Sequence, residues 1–164
     1  MKTKINSSIG IFDSGVGGLT VLKEIIKYLP NENVIYLGDT KHLPYGGKSK
    51  ETVTRLSTLN ISFLIKKNVK MVVIACNTTS ALSLQKLQKT FKIPIIGVVK
   101  PGSKAAAEST KNKRVGIIGT VATIKSLAYL KAIKKINKSI KVYEKACPLF
   151  VPLVEEGWFN DNIA

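Results

Sequence analysis

A chain of 164 residues, 45% of them hydrophobic, has the size of one ordinary domain with a real core, which excludes a disordered polypeptide. Its 26 basic against 10 acidic residues leave a net charge of +16, but only Arg55 and Arg114 are arginines and the lysines are scattered, which argues against specific nucleic-acid readout and for a solvated surface that adsorbs polyanions non-specifically. Residues 1–8 are basic, yet the apolar run behind them stops at Asp13, too short for a signal peptide, and no stretch reaches membrane-spanning length, so a cytoplasmic protein is expected.

The first strand is Ile9-Gly10-Ile11-Phe12. Further apolar runs follow at Val34-Ile35-Tyr36-Leu37, Met71-Val72-Val73-Ile74-Ala75, Ile95-Ile96-Gly97-Val98-Val99 and Val115-Gly116-Ile117-Ile118. Continuous rather than alternating hydrophobicity marks strands buried on both faces. Between them lie helical stripes: Leu22, Ile25, Ile26 and Leu29, then Leu56, Leu59 and Phe63, then Leu84, Leu87 and Phe91. Strand and helix alternate throughout, which predicts an α/β fold with a doubly wound parallel sheet. Residues 1–99 make a first α/β domain, and a second begins near Lys100-Pro101-Gly102. The 65 residues 100–164 are few for an independent unit, and the chain stops soon after an apolar stretch, so this second domain is expected to be incomplete.

The chemistry sits in the turns. After the first strand, Asp13-Ser14-Gly15-Val16-Gly17-Gly18 resembles an anion cradle, although it fits neither nucleotide fingerprint: glycine is wanted where Thr20 stands, and no Gly-Lys-Ser/Thr closes it. His42, the only histidine, is expected on an exposed loop. Pro44-Tyr45-Gly46-Gly47 is long enough to reach over a crevice or to be an ordinary surface turn. Cys76-Asn77-Thr78-Thr79-Ser80 places a thiol where a buried strand ends and a helix begins, the position at which open α/β sheets bind ligands. A small residue closing a strand is the plainer account of the same cysteine. Gly119-Thr120-Val121-Ala122-Thr123 repeats the arrangement with hydroxyls, read first as helix caps and second as ligand donors. Cys147 is expected to be structural, and Glu155 and Glu156 to form a solvated helix end. Two cysteines in unlike settings make neither a disulfide framework nor a zinc site.

Taken together, Asp13-Ser14-Gly15, Pro44-Tyr45-Gly46, Cys76-Asn77-Thr78, Gly119-Thr120 and the segment from Ala146-Cys147-Pro148 through Glu155-Glu156-Gly157 resemble, in order and spacing, the glutamate racemases of the aspartate/glutamate racemase superfamily. The resemblance covers essentially the whole chain. It implies the first domain of a two-domain racemase that needs neither metal nor cofactor, takes glutamate as its small-molecule substrate, and supplies D-glutamate for peptidoglycan; a homo-oligomer is left open. In that family two cysteines flank the substrate α-carbon, one thiolate removing the proton and the other thiol returning it from the opposite face. Cys76 matches the first. Asp13 matches a carboxylate that assists proton transfer and contacts substrate. Ser14, Tyr45, Gly46, Asn77 and Thr78 match positions that hold the substrate's carboxylates and ammonium, with Thr120 in the same candidate set. Glu155 matches a residue that supports a histidine beside the second cysteine.

The sequence departs from the pattern in one important way. The Gly-Cys-Thr-His motif that carries the family's second cysteine does not occur in these 164 residues, and Cys147 matches a non-catalytic Ala-Cys-Pro segment. Racemisation by this polypeptide alone is therefore expected to be impaired. His42 and Lys100 also differ from the residues common in the family. Two other readings stay open: an aspartate or hydantoin racemase with the same paired-thiol logic, and a non-catalytic α/β module whose basic surface meets polyanions.

Overall fold

The structure is a computed structural model that describes residues 7–158. The basic residues 1–6 and the terminal residues 159–164, both noted above, lie outside the described residues. Four strands, β1 (Ile9–Asp13), β2 (Val34–Gly38), β3 (Met71–Ile74) and β4 (Ile95–Gly97), form a parallel sheet in the order β2-β1-β3-β4. A second parallel sheet pairs β5 (Arg114–Gly119) with β6 (Lys141–Ala146). The helices are α1 (Leu19–Tyr28), α2 (Lys50–Lys66), α3 (Asn77–Leu82), α4 (Leu84–Thr90), α5 (Val99–Ser109), α6 (Val121–Lys125), α7 (Ala128–Ile136) and α8 (Phe150–Glu155), with a short 3-10 turn at Tyr45–Gly47. Among the described residues no helix is long and apolar enough to cross a membrane.

The central strands are buried on both faces because successive side chains point to opposite sides of the sheet. Phe12, Val72 and Ile74 enter one core cluster with Val53, Leu56, Ile61 and Leu64 of α2 and Leu87 of α4. Ile9, Ile11, Val73 and Ala75 enter the other, against Val21, Leu22 and Ile25 of α1. Helices on both faces make the first sheet doubly wound, as the apolar runs imply. Gly10 lets α2 approach: a Cβ there would meet Val69 and Leu64 side chains at 3.2 and 3.3 Å.

Register then positions the chemistry. Ile9 pairs with Met71 and Phe12 with Ile74, and Ala75 N donates to Phe12 O at 2.8 Å, so Asp13 and Cys76 finish adjacent strands at the same end of the sheet.

Several expectations are corrected. The run at Val115-Gly116-Ile117-Ile118 is not a doubly buried strand: burial alternates along β5 and β6, and Ile118 is 65% exposed. The fourth strand ends at Gly97, and Val99 already belongs to α5. In α2 the buried stripe is Val53, Leu56, Ser57, Ile61 and Leu64, while Leu59 and Phe63 face outward. The stripe turns because α2 meets α3 and the cap residue between α3 and α4 through paired hydroxyls, Ser57 with Thr79 at 3.1 Å and Thr54 with Ser83 at 2.7 Å. Ile26 and Leu29 are likewise exposed, leaving Val21, Leu22 and Ile25 to hold α1.

Candidate active site

Cys76 is 4% exposed and precedes the first residue of α3. Its thiol donates to Ser14 Oγ at 3.4 Å and its sulfur accepts from the Thr79 backbone N–H at 3.4 Å, so the sulfur itself is the helix N-cap. Burial, and then the Asp13 carboxylate, push the thiol above its ordinary range, while hydrogen bonding with Ser14 and Thr79 acts against that rise. The sulfur is buried within the core cluster that holds Phe12 and Tyr45, and its hydrogen bonds tie it to Ser14 and the Thr79 amide. It belongs to a polar corner.

Asp13 forms the other wall of that corner. Its Oδ2 accepts from the backbone N–H groups of Gly18 at 2.8 Å and Gly15 at 3.3 Å, which folds the following glycine turn around the carboxylate. Gly18 is required here, because a Cβ would fall 2.6 Å from Asp13 Cβ and 3.0 Å from Ala75 Cβ. The turn thus cradles a carboxylate of its own chain. Tyr36 on β2 fixes it from outside, donating to the Gly15 carbonyl at 2.8 Å. Burial and the nearby charges of Asp13, Glu155 and Cys76 hold that phenol well above its usual range, so it remains a donor.

The Tyr45 loop is anchored by a network that the sequence did not announce. Asp39, 8% exposed, accepts from Tyr45 Oη at 2.6 Å and Asn60 Nδ2 at 3.0 Å, and pairs with His42 Nδ1 at 2.8 Å. Burial opposes charge on Asp39, but the bonds from Tyr45, Asn60 and His42 outweigh it and lower the carboxyl. His42, its side chain 41% exposed on the loop, is thus tied to the buried Asp39. Tyr45 is 1% exposed, its ring packs against Phe12, and its hydroxyl is committed to Asp39. What Tyr45 and Gly46 can offer a ligand is the uncapped backbone at the start of their 3-10 turn.

The second sheet's turn meets the first at Thr120. Its hydroxyl lies 3.0 Å from Thr78 Oγ1 and 3.0 Å from Thr123 Oγ1, and it caps α6 by accepting from Thr123 N at 3.2 Å. Gly46 makes the contact close, since a Cβ there would come within 2.5 Å of Thr120 Cβ. Asn77 is exposed at the mouth of a cavity of about 410 Å³, whose wall includes Thr120, Thr123, Tyr129, Cys147 and Phe150. Cys76, Asp13 and Tyr45 are not on that wall. Cys147 is half-buried there, 3.8 Å from the Lys145 carbonyl. Glu155, placed by α8, accepts from Val16 N at 3.1 Å and fills the space beside Gly15, while Glu156 is exposed. Tyr36, Asn60 and Tyr129 were not legible as site elements because their contacts span 21 to 52 positions, and Asp39, though close to His42 and Tyr45 in the chain, lies in no recognisable motif. The one available signal for Asp39 was its position one residue past the apolar run Val34-Ile35-Tyr36-Leu37-Gly38, at the carboxyl end of the sheet.

A capped thiol and a cradled carboxylate thus stand side by side at the carboxyl ends of adjacent parallel strands, the position at which open α/β sheets bind ligands. The Asp/Glu/Hydantoin racemase family model matches residues 9–161, and the chain belongs to that family. It is 59% identical over 157 residues to a glutamate racemase from Geobacter metallireducens, covering 96% of this chain and 58% of that one. Among solved structures, a glutamate racemase isoform from Bacillus anthracis superposes with a TM-score of 0.89 at 44% identity, over 92% of this chain and 57% of that one. The Francisella tularensis glutamate racemase in complex with D-glutamate gives 0.88 at 43% identity, over 96% and 59%. The chain thus spans somewhat more than half the length of these relatives.

Proposed function

We propose that this chain carries the Cys76 face of a glutamate racemase, in which the thiolate of Cys76 exchanges the α-proton of glutamate without cofactor, toward D-glutamate for peptidoglycan in the cytoplasm. The observation that carries this reading is the corner itself: a thiol held by Ser14 and the Thr79 amide, next to Asp13, in a chain of this family. Burial and the Asp13 carboxylate raise the thiol and favour its protonated form. A substrate ammonium beside Asp13 offsets that negative field, so binding itself favours the thiolate that must act as base. Ser14 and the Thr79 amide steady the sulfur, and the amides of Tyr45 and Gly46, with Asn77 and Thr78, hold the carboxylates. Residues 1–99 serve as the unit that presents Cys76, and residues 100–164 supply Thr120 and Glu155. Inversion also needs an acid on the opposite face of the α-carbon, and Cys147, turned to the Lys145 carbonyl, is not assigned that role.

The test is alkylation of Cys76 followed by peptide mass spectrometry, with and without glutamate. Glutamate is expected to slow the labelling of Cys76 but not of Cys147, and the same protein in deuterated water is expected to wash the α-proton out of glutamate. Full labelling of Cys76 at saturating glutamate, with no exchange, overturns the reading. Stronger protection by aspartate than by glutamate would move it to the aspartate branch of the family.

A further inference from the structure

A side-chain amide can present either end to a ligand, because rotation about its last bond has two nearly equivalent wells. Asn77, the first residue of α3, stands immediately after Cys76 at the cavity mouth, and which end it presents decides whether it meets a carboxylate or an ammonium group. The hydroxyl of Tyr129, on α7, donates to Asn77 Oδ1. The two residues are 52 positions apart, and both line the same cavity. With Oδ1 held toward Tyr129, the Nδ2 hydrogens are the end of the amide left for a ligand, although Oδ1 keeps a second lone pair.

We infer that Tyr129 is a positioning residue that sets the amide of Asn77 with its NH2 toward the substrate, making Asn77 a carboxylate-binding donor rather than an ammonium-binding acceptor. The inference rests on the glutamate reading above and adds a residue that family resemblance did not bring to the site. Burial raises the Tyr129 phenol, which keeps its proton available for the bond across the working pH range. The ring lies over Gly102 of α5, where even a Cβ would stand 3.4 Å from Cε1, so α5 and α7 together aim the hydroxyl. Through this contact the second sheet's helices govern the chemistry presented at the end of the first.

The experiment measures the glutamate concentration that halves the alkylation rate of Cys76 in four proteins: unaltered, Tyr129→Phe, Asn77→Ala, and the double variant. Tyr129→Phe is expected to raise that concentration roughly 5- to 20-fold, the effect of losing one orienting hydrogen bond. Labelling without glutamate should change less than about twofold, because Tyr129 does not touch the sulfur. In the Asn77→Ala background the Tyr129 substitution should add less than about twofold, as required if it acts through the amide. Equal protection in the unaltered and Tyr129→Phe proteins overturns the inference while leaving the glutamate reading standing. So does a full 5- to 20-fold effect that persists without Asn77, since that marks general loosening. Absence of protection in the unaltered protein removes the glutamate reading and this inference with it.

Discussion

The four-stranded sheet and β5 of the second sheet come from similar apolar runs, whereas β6 mixes charged and apolar residues, and the two sheets differ in what covers them. In the four-stranded sheet, every residue of β1 is buried and helices lie on both faces. In the two-stranded sheet, burial alternates residue by residue, with Ile118 65% and Tyr143 57% exposed. The hydrophobicity of a strand reports its capacity to be buried, whereas the number of layers around it determines whether that capacity is used. The functional consequence is a division of labour. The enclosed sheet holds Asp13 and Cys76 at fixed register, and the open sheet contributes contacts across its turn, through Thr120 and Tyr129.

The sharpest way to break this comparison is to remove side chains from the enclosed sheet. Ile74→Ala, at a fully buried position, should lower stability by about 2–5 kcal/mol in urea unfolding, and a loss under about 1 kcal/mol would mean that the first sheet is no better packed than the second. Next in size is Asp39→Ala, which strands the buried Tyr45 hydroxyl and should cost about 1–3 kcal/mol while loosening the Tyr45 loop to proteolysis. An unchanged melting curve would show that the loop stands without its anchor.

The corner on the enclosed sheet makes a prediction of opposite signs. Asp13→Asn removes a charge that raises the Cys76 thiol, so labelling by iodoacetamide near neutral pH should speed up by roughly 3- to 10-fold; Ser14→Ala removes a bond that lowers it and should slow labelling. Shifts in the same direction would mean that access, not charge, controls the sulfur. A smaller effect appears in the pH dependence of stability. Because the folded thiol is raised, the native state keeps a proton that the unfolded chain releases near pH ~8.5, so stability falls as pH rises above that value. Below it, both states hold the proton and the contribution is flat. Cys76→Ala should remove this alkaline decline, and an identical slope in the variant would count against the raised thiol. The smallest expected effect comes from the open sheet: Ile118→Ala should change stability by no more than about 0.5 kcal/mol, and a loss comparable to that of Ile74→Ala would show the exposed face to be covered in solution.

Much of the site could be read from the chain because its chemistry is local. Asp13 and Cys76 each stand at the end of an apolar run, and the glycine turn and the CNTTS segment are contiguous, so residue type and position announced them. Glu155 was identified by resemblance, yet its seat on Val16 spans 139 positions and follows from no local rule. His42 lies on the loop as expected, its side chain 41% exposed, but its bond to Asp39, which Tyr45 and Asn60 also hold, was not foreseen.

By itself the sequence determined the alternation of strand and helix, the parallel sheet, and which turns bear a thiol, a carboxylate and hydroxyls, because backbone propensity, hydrophobic periodicity and helix capping act within a few residues. Only the tertiary structure decided which stripe of α2 is buried, which face of β5 stays open, and how Asp39, Tyr36 and Tyr129 orient the groups around Cys76. These depend on which side chains meet across packed elements, and burial and charge in such contacts are properties of the assembled neighbours rather than of any one segment.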